Sequence, residues 1–172
     1  DFAELIERTA GALAAAGVRR GGCAAFLGHN SPEMLALFFA CARLGALFMP
    51  LNWRLAGPEH RQMLDDCPPG VLVVEAPFIE QTDVCRSGLG AMKHVSLGSS
   101  AADWQPWDEF LDSGHGSVVQ GPSIDPDTPL LICYTSGATG KPKGVVLTQG
   151  AIDCNADNSV DMHAMTPDDR VL

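Results

Sequence analysis

The chain has 172 residues, 46% hydrophobic and 19% charged, which suits one globular domain, or a large piece of a bigger one, built around a real core. Its 11 Lys plus Arg against 21 Asp plus Glu leave a formal charge of −10, a field that repels nucleic-acid backbones and anionic lipid surfaces. A nucleotide is not excluded, because one loop of backbone N–H groups and a lysine sets its own local potential.

Phe2, Leu5, Ile6, Thr9, Leu13 and Ala16 recur at helical spacing until Gly17, which predicts an amphipathic helix over 2–16. Gly21-Gly22 turns the chain into Cys23 to Leu27, an apolar run fit for a buried strand. Ser31-Pro32-Glu33 then reads as an N-cap followed by a proline at the first helical position, opening a helix that runs to about Leu44 and stops at Gly45. Ala46 to Met49 is a second buried strand, Gly57-Pro58-Glu59 starts a helix through Leu64, and Val71 to Val74 is the next strand. From Pro77 to Pro129 the pattern weakens to a strand at His94 to Leu97, a helix around Asp108 to Leu111, and a Gly/Ser/Pro-rich surface connection from Ser113 to Pro129. Strands alternating with helices at these intervals imply an α/β fold, layered, with a largely parallel sheet flanked by helices.

The six cysteines form no C-x-x-C pair, which argues against zinc, and several sit inside apolar runs such as Phe39-Ala40-Cys41-Ala42. They read as small buried hydrophobes in a reducing, cytoplasmic compartment. Neither a signal peptide nor an apolar stretch of membrane-spanning length is expected, since Met34 to Pro50 is interrupted by Arg43. The start at Asp1 and the stop at Val171-Leu172, in what reads as the start of a strand, read as cut ends.

Chemistry concentrates after Pro129. Leu130 to Tyr134 is an apolar strand that empties into Thr135-Ser136-Gly137-Ala138-Thr139-Gly140-Lys141-Pro142-Lys143-Gly144, followed by Val145-Val146-Leu147-Thr148. Glycines let backbone N–H groups converge on an anion, hydroxyls add donors and a lysine supplies compensating charge, a combination suited to a polyphosphate. Spacing excludes the G-x-x-x-x-G-K-[ST] loop, because two residues separate Gly137 from Gly140 and proline follows Lys141; no G-x-G-x-x-G is present either.

Tyr134 to Gly144 closely resembles the phosphate-binding signature of the adenylate-forming superfamily, which includes acyl-CoA synthetases, luciferases and nonribosomal peptide adenylation domains. The fixed form there is Tyr-Thr-Ser-Gly-Ser/Thr-Thr-Gly-x-Pro-Lys-Gly, and only Ala138 departs from it. Phe2-Ala3-Glu4-Leu5, Asn30-Ser31-Pro32-Glu33, Ala42 to Ala46, Pro50-Leu51-Asn52 and Thr166 to Leu172 are similar to further family segments in the same order. Residues 1–172 thus resemble a partial N-terminal AMP-binding domain, with helix/strand layers and a connecting segment over 1–129, and strand, phosphate loop, strand and following helix over 130–172. Leu51-Asn52-Trp53-Arg54-Leu55 is similar to the Asn-x-Arg-Leu form common in CoA ligases, where carrier-loading adenylation domains usually have aspartate in place of Asn52.

The resemblance implies that a carboxylate, here expected to be a fatty acid, attacks the α-phosphorus of Mg2+-bound ATP to give an acyl adenylate, from which the thiol of CoA displaces AMP. It implies that Thr135, Ser136, Gly137, Thr139, Gly140 and Lys143 hold the β and γ phosphates, with Lys143 as the charged, catalytic member and Lys141 facing solvent. No metal ligand is named within the chain. Ala138 removes one hydroxyl from the loop, and Gln149 stands where many members have histidine. The expectation is an inactive piece of an active ligase, whose uncovered sheet opens it to self-association. Two alternatives are an adenylation domain that loads an amino or aryl acid onto a carrier protein, and a non-catalytic nucleotide-binding module. His29, His60, His94, His115 and His163 show no paired spacing, and Asp125, Asp127, Asp168 and Asp169 flank turns, so these read as surface or core residues; Trp53, Trp104 and Trp107 read as packing.

Overall fold

The structure, a computed structural model, describes residues 1–86, 92–98, 102–115, 124–135 and 142–170. Among the described residues stand six helices and seven strands: α1 (Phe2–Ala15), β1 (Cys23–Leu27), α2 (Pro32–Leu44), β2 (Leu47–Leu51), α3 (Gly57–Asp66), β3 (Val71–Glu75), α4 (Ile79–Arg86), β4 (Lys93–Leu97), β5 (Gln105–Pro106), α5 (Trp107–Asp112), β6 (Pro129–Thr135), β7 (Lys143–Thr148) and α6 (Gln149–His163). A single 3₁₀ turn at Ala76–Phe78 leads into α4.

The strands lie in the order β5-β4-β3-β1-β2-β6-β7, every pair parallel except β6 with β7. Parallel pairing demands a crossover, and α2 and α3 supply it between β1 and β2 and between β2 and β3. Helices on both faces bury both sides of each central strand, which is why Cys23–Leu27 and Val71–Val74 are buried without a break. Alternation along the strands then sorts two cores. Ala24, Phe26, Phe48, Val71 and Val73 pack with Leu13 of α1, Leu37 and Leu44 of α2 and Phe110 of α5. Cys23, Ala25, Leu27, Met49, Leu72 and Val74 face the other way, onto Met63 and Leu64 of α3 and Ile79 of α4.

The helix boundaries follow from local chemistry. Asp1 caps α1, its Oδ1 accepting from the Glu4 amide at 2.8 Å, and Ser31 caps α2, its Oγ accepting from the Met34 amide at 3.2 Å. Gly45 ends α2 in the left-handed conformation at φ 63°, as the sequence predicts. Glu59 reaches back so that its Oε2 accepts from the Ala56 amide at 2.9 Å, and α3 runs to Asp66, past the expected end at Leu64. Two elements were not foreseen, α4 and the short β5. Of the expected surface connection, residues 116–123 lie outside the described residues, while Thr128 at its end is buried and its Oγ1 donates to Asp125 Oδ1 at 3.0 Å.

Candidate functional site

β6 is parallel to β2, with Leu131 opposite Phe48, so its end at Thr135 emerges on the sheet edge where β1, β2 and β3 also end. That carboxyl edge is where open α/β sheets take ligands. β7 returns antiparallel, pairing Ile132 with Val146, Tyr134 with Gly144 and Thr135 with Lys143. Thr135 and Lys143 are therefore brought face to face as the two exposed ends of the Gly- and hydroxyl-rich loop. Ser136, Gly137, Thr139 and Gly140, with Ala138 and Lys141, lie outside the described residues.

Beneath this loop mouth, the Tyr134 side chain crosses to α3. Its hydroxyl donates to Asp66 Oδ2 at 2.8 Å and approaches the Met63 carbonyl at 3.4 Å. Burial first, and then the hydrogen bond to the Asp66 carboxylate, push the Tyr134 phenol above its ordinary value, so it stays a proton donor at physiological pH. Gly144 leaves the space this arrangement needs. A Cβ there would stand 2.9 Å from Ile132 Cδ1 and 3.3 Å from Tyr134 Cε1. The last glycine of the loop motif is thus a packing glycine at the exit strand.

Two concavities meet at Tyr134 and Pro142. One, of about 290 Å³, is lined by Asn52, Glu59, Met63 and Thr135 among others; a more open one, of about 470 Å³, runs along Gln62, Asp65 and Asp66 of α3. Asn52 organises the turn after β2, its Oδ1 accepting from the Arg54 amide at 3.0 Å while its carbonyl lies 2.9 Å from Nε2 of the fully buried His60. Arg54 lies over the Trp53 ring, 4.6 Å from its centroid, and Trp53 packs with His29 and Phe78. Gln149 donates from its side chain to the Ala42 carbonyl at 2.9 Å and from its backbone to the Thr128 carbonyl at 2.9 Å, which fastens the start of α6 to α2. Among the described residues, no three of His, Cys, Asp and Glu stand together as a metal ion would require, and no helix is long and apolar enough to cross a membrane.

Tyr134, Asp66 and Gly144 were not among the site residues expected from the sequence. Tyr134 was visible as the motif's first position and the only tyrosine in the chain. Asp66 carried no signal, because it lies 68 residues away along the chain.

A largely parallel seven-stranded sheet flanked by helices, its last parallel strand ending at the carboxyl edge, defines the fold class. The chain belongs to the AMP-binding enzyme family, whose sequence profile matches residues 1–172. It is 56% identical over 171 residues to an indoleacetate–CoA ligase of Aromatoleum aromaticum, an alignment covering 99% of this chain and 34% of that protein. The structure is similar to that of a Rhodopseudomonas palustris protein assigned as a long-chain-fatty-acid CoA ligase, with a TM-score of 0.89, 28% identity and coverage of 98% and 42% of the two chains. It is also similar to an anthranilate CoA ligase in complex with anthranoyl-AMP, with a TM-score of 0.82, 25% identity and coverage of 91% and 30%. The chain spans about a third of the length of the curated relatives it matches.

Proposed function

We propose that the protein carrying this chain is an ATP-dependent carboxylic acid–CoA ligase, and that residues 1–172 are its partial N-terminal AMP-binding domain. The observation that carries this reading is the Thr135–Lys143 strand pair, which closes a Gly- and hydroxyl-rich loop with a lysine at the carboxyl edge of the sheet. In the proposed first step a carboxylate oxygen attacks the α-phosphorus of ATP, the bond to pyrophosphate breaks and an acyl adenylate forms. In the second, the CoA thiol gives up its proton and attacks the acyl carbon, and AMP leaves as the thioester forms. This chain's contribution is to grip the β and γ phosphates. Thr135, Ser136, Gly137, Thr139 and Gly140 supply donors, and Lys143 neutralises charge that grows on the departing pyrophosphate. ATP arrives as its Mg2+ complex, and no residue of this chain is assigned to the ion.

For the acid, the aromatic class comes first, supported by 56% identity to the indoleacetate–CoA ligase and by the anthranoyl-AMP complex of a structural neighbour. The fatty acid expected from the sequence stays as the second reading, supported by the Rhodopseudomonas palustris neighbour. We further propose a cytoplasmic location, consistent with free thiols at Cys23, Cys41, Cys67, Cys133 and Cys154, and an inactive, self-associating 172-residue piece. The exposed Val145, Val146, Val160 and Met162 on β7 and α6 support the self-association.

The test is carboxylate-dependent AMP formation by the whole enzyme, with and without CoA, over arylacetic, benzoic, alkanoic and amino acids. CoA-dependent turnover led by arylacetic acids is expected. Adenylate formation that ignores CoA would move the chain to the carrier-loading class, and AMP formation by the 172-residue piece alone would overturn its inactivity.

A further inference from the structure

We propose that Tyr134 is a positioning residue for ATP, holding the phosphate-loop mouth against α3 through its hydrogen bond to Asp66; this rests on the function proposed above. The strand pairing sets where this contact acts. Among the described residues, β6 is in parallel register with β2 at Leu131, whereas its pairing with β7 continues to Thr135 and Lys143. The last four residues of β6 run beyond that register pair, with Ile132 packed in the core beside Met63 and Leu64 and Thr135 at the exposed end.

Past the buried Ile132, the Tyr134 hydroxyl ties the exposed end of β6 to α3, at 2.8 Å from Asp66 Oδ2 and 3.4 Å from the Met63 carbonyl. Thr135, the first loop residue, follows directly in the chain, and Gly144, directly across from Tyr134, leaves its ring unobstructed. Asp66 is the last residue of α3, where the helix dipole disfavours a carboxylate and no basic residue occupies the last turn. A phenol donor is the partner this carboxylate has. The contact thus fixes how far the exposed Thr135 and Lys143 ends stand from α3, and with them the height at which a polyphosphate is gripped.

Tyr134→Phe keeps the ring and removes only the hydroxyl. In the whole enzyme it should raise the KM for ATP about three- to tenfold, the range one hydrogen bond can deliver, with the KM values for acid and CoA unchanged. Asp66→Ala should do the same, Asp66→Asn should stay near wild type because its amide oxygen still accepts, and Tyr134→Phe combined with Asp66→Ala should be no worse than either alone. Hydrogen exchange at the amides of residues 133–135 and 143–145 supplies a readout that needs no turnover, and both Tyr134→Phe and Asp66→Ala should quicken it. Lowered thermal stability with ATP KM unmoved would overturn the proposal, as would equal rises in all three KM values or unchanged exchange at the loop mouth. A wild-type enzyme that forms no AMP would instead refute the ligase reading, and the exchange measurement would then decide the tether by itself.

Discussion

Replacing Gly144 by alanine separates two reasons for a glycine in this motif. The backbone there is extended, so alanine can adopt it, and losing the flexibility of glycine favours the fold by about 0.5–1 kcal/mol. Against this, the new methyl would lie 2.9 Å from Ile132 Cδ1, 3.2 Å from Ile132 Cγ1 and 3.3 Å from Tyr134 Cε1. Ile132 is 6% exposed and packed with Met63 and Leu64, so it can give little, and overpacking of this kind costs about 1–3 kcal/mol. Gly144→Ala should therefore destabilise by about 1 kcal/mol net, a fall of roughly 2–4 °C in Tm for a chain of this size. Ile132→Val removes the nearest clashing atom and alone costs about 0.5–1.5 kcal/mol. Combined, the two should show a favourable coupling of about 1 kcal/mol, measured by urea unfolding of all four proteins. Additivity within about 0.3 kcal/mol would refute the packing account. Loss of ATP binding at unchanged stability would refute it too and give the glycine to the phosphates.

Two further outcomes follow from contacts elsewhere. The Cys67 thiol is pulled down to about 7, first by a hydrogen bond with Cys23, with burial and the Asp66 charge opposing. Alkylation of Cys67 by iodoacetamide, followed by mass spectrometry, should have its midpoint near that pH, fast above it where the thiolate prevails; Cys23→Ala should move the midpoint up toward the ordinary 9.0. At the junction of α1 and α5, a Cβ on Gly114 would come within 2.2 Å of the Ala12 amide nitrogen and 2.4 Å of the Gly11 carbonyl carbon. Backbone atoms cannot yield as a side-chain tip can, so Gly114→Ala should cost about 3 kcal/mol or prevent folding, read as soluble yield and urea midpoint.

The layered fold was legible because local chemistry repeats it. The Ser31-Pro32 cap, the Gly45 stop and the unbroken apolar runs at Cys23–Leu27 and Val71–Val74 each point to the element that forms. α4 was hidden because Pro77 reads as a breaker, whereas in the structure it sits in the 3₁₀ turn that feeds the helix. β5 has two residues and so no period to detect. The placing of β3 beside β1, away from β2, depends on which helix covers which face, and no local pattern encodes that. In the site, the motif pointed to the loop and Lys143, whereas the Tyr134–Asp66 contact joins residues 68 apart with no local signal, and Gln149, conspicuous in sequence, turned out to bind the Ala42 carbonyl.

The charge of the chain raises the last difficulty for phosphate chemistry, because α3 brings Glu59, Asp65 and Asp66 beside the loop mouth in a molecule already at −10. Each of these carboxylates is engaged by a local donor. Glu59 accepts from the Ala56 amide at 2.9 Å, Asp65 takes both of its oxygens to within 2.9 Å of Arg61 Nε, and Asp66 accepts from Tyr134 at 2.8 Å. Arg61 pairs with Asp65, the Tyr134 hydroxyl holds Asp66 to β6, and the Ala56 amide holds Glu59 to the turn before α3. Lys143 stands exposed at the strand end opposite Thr135. Beyond about 8–10 Å the remaining acidity is screened at physiological salt, so the field at the Thr135–Lys143 strand ends is set by this local balance and not by the net charge.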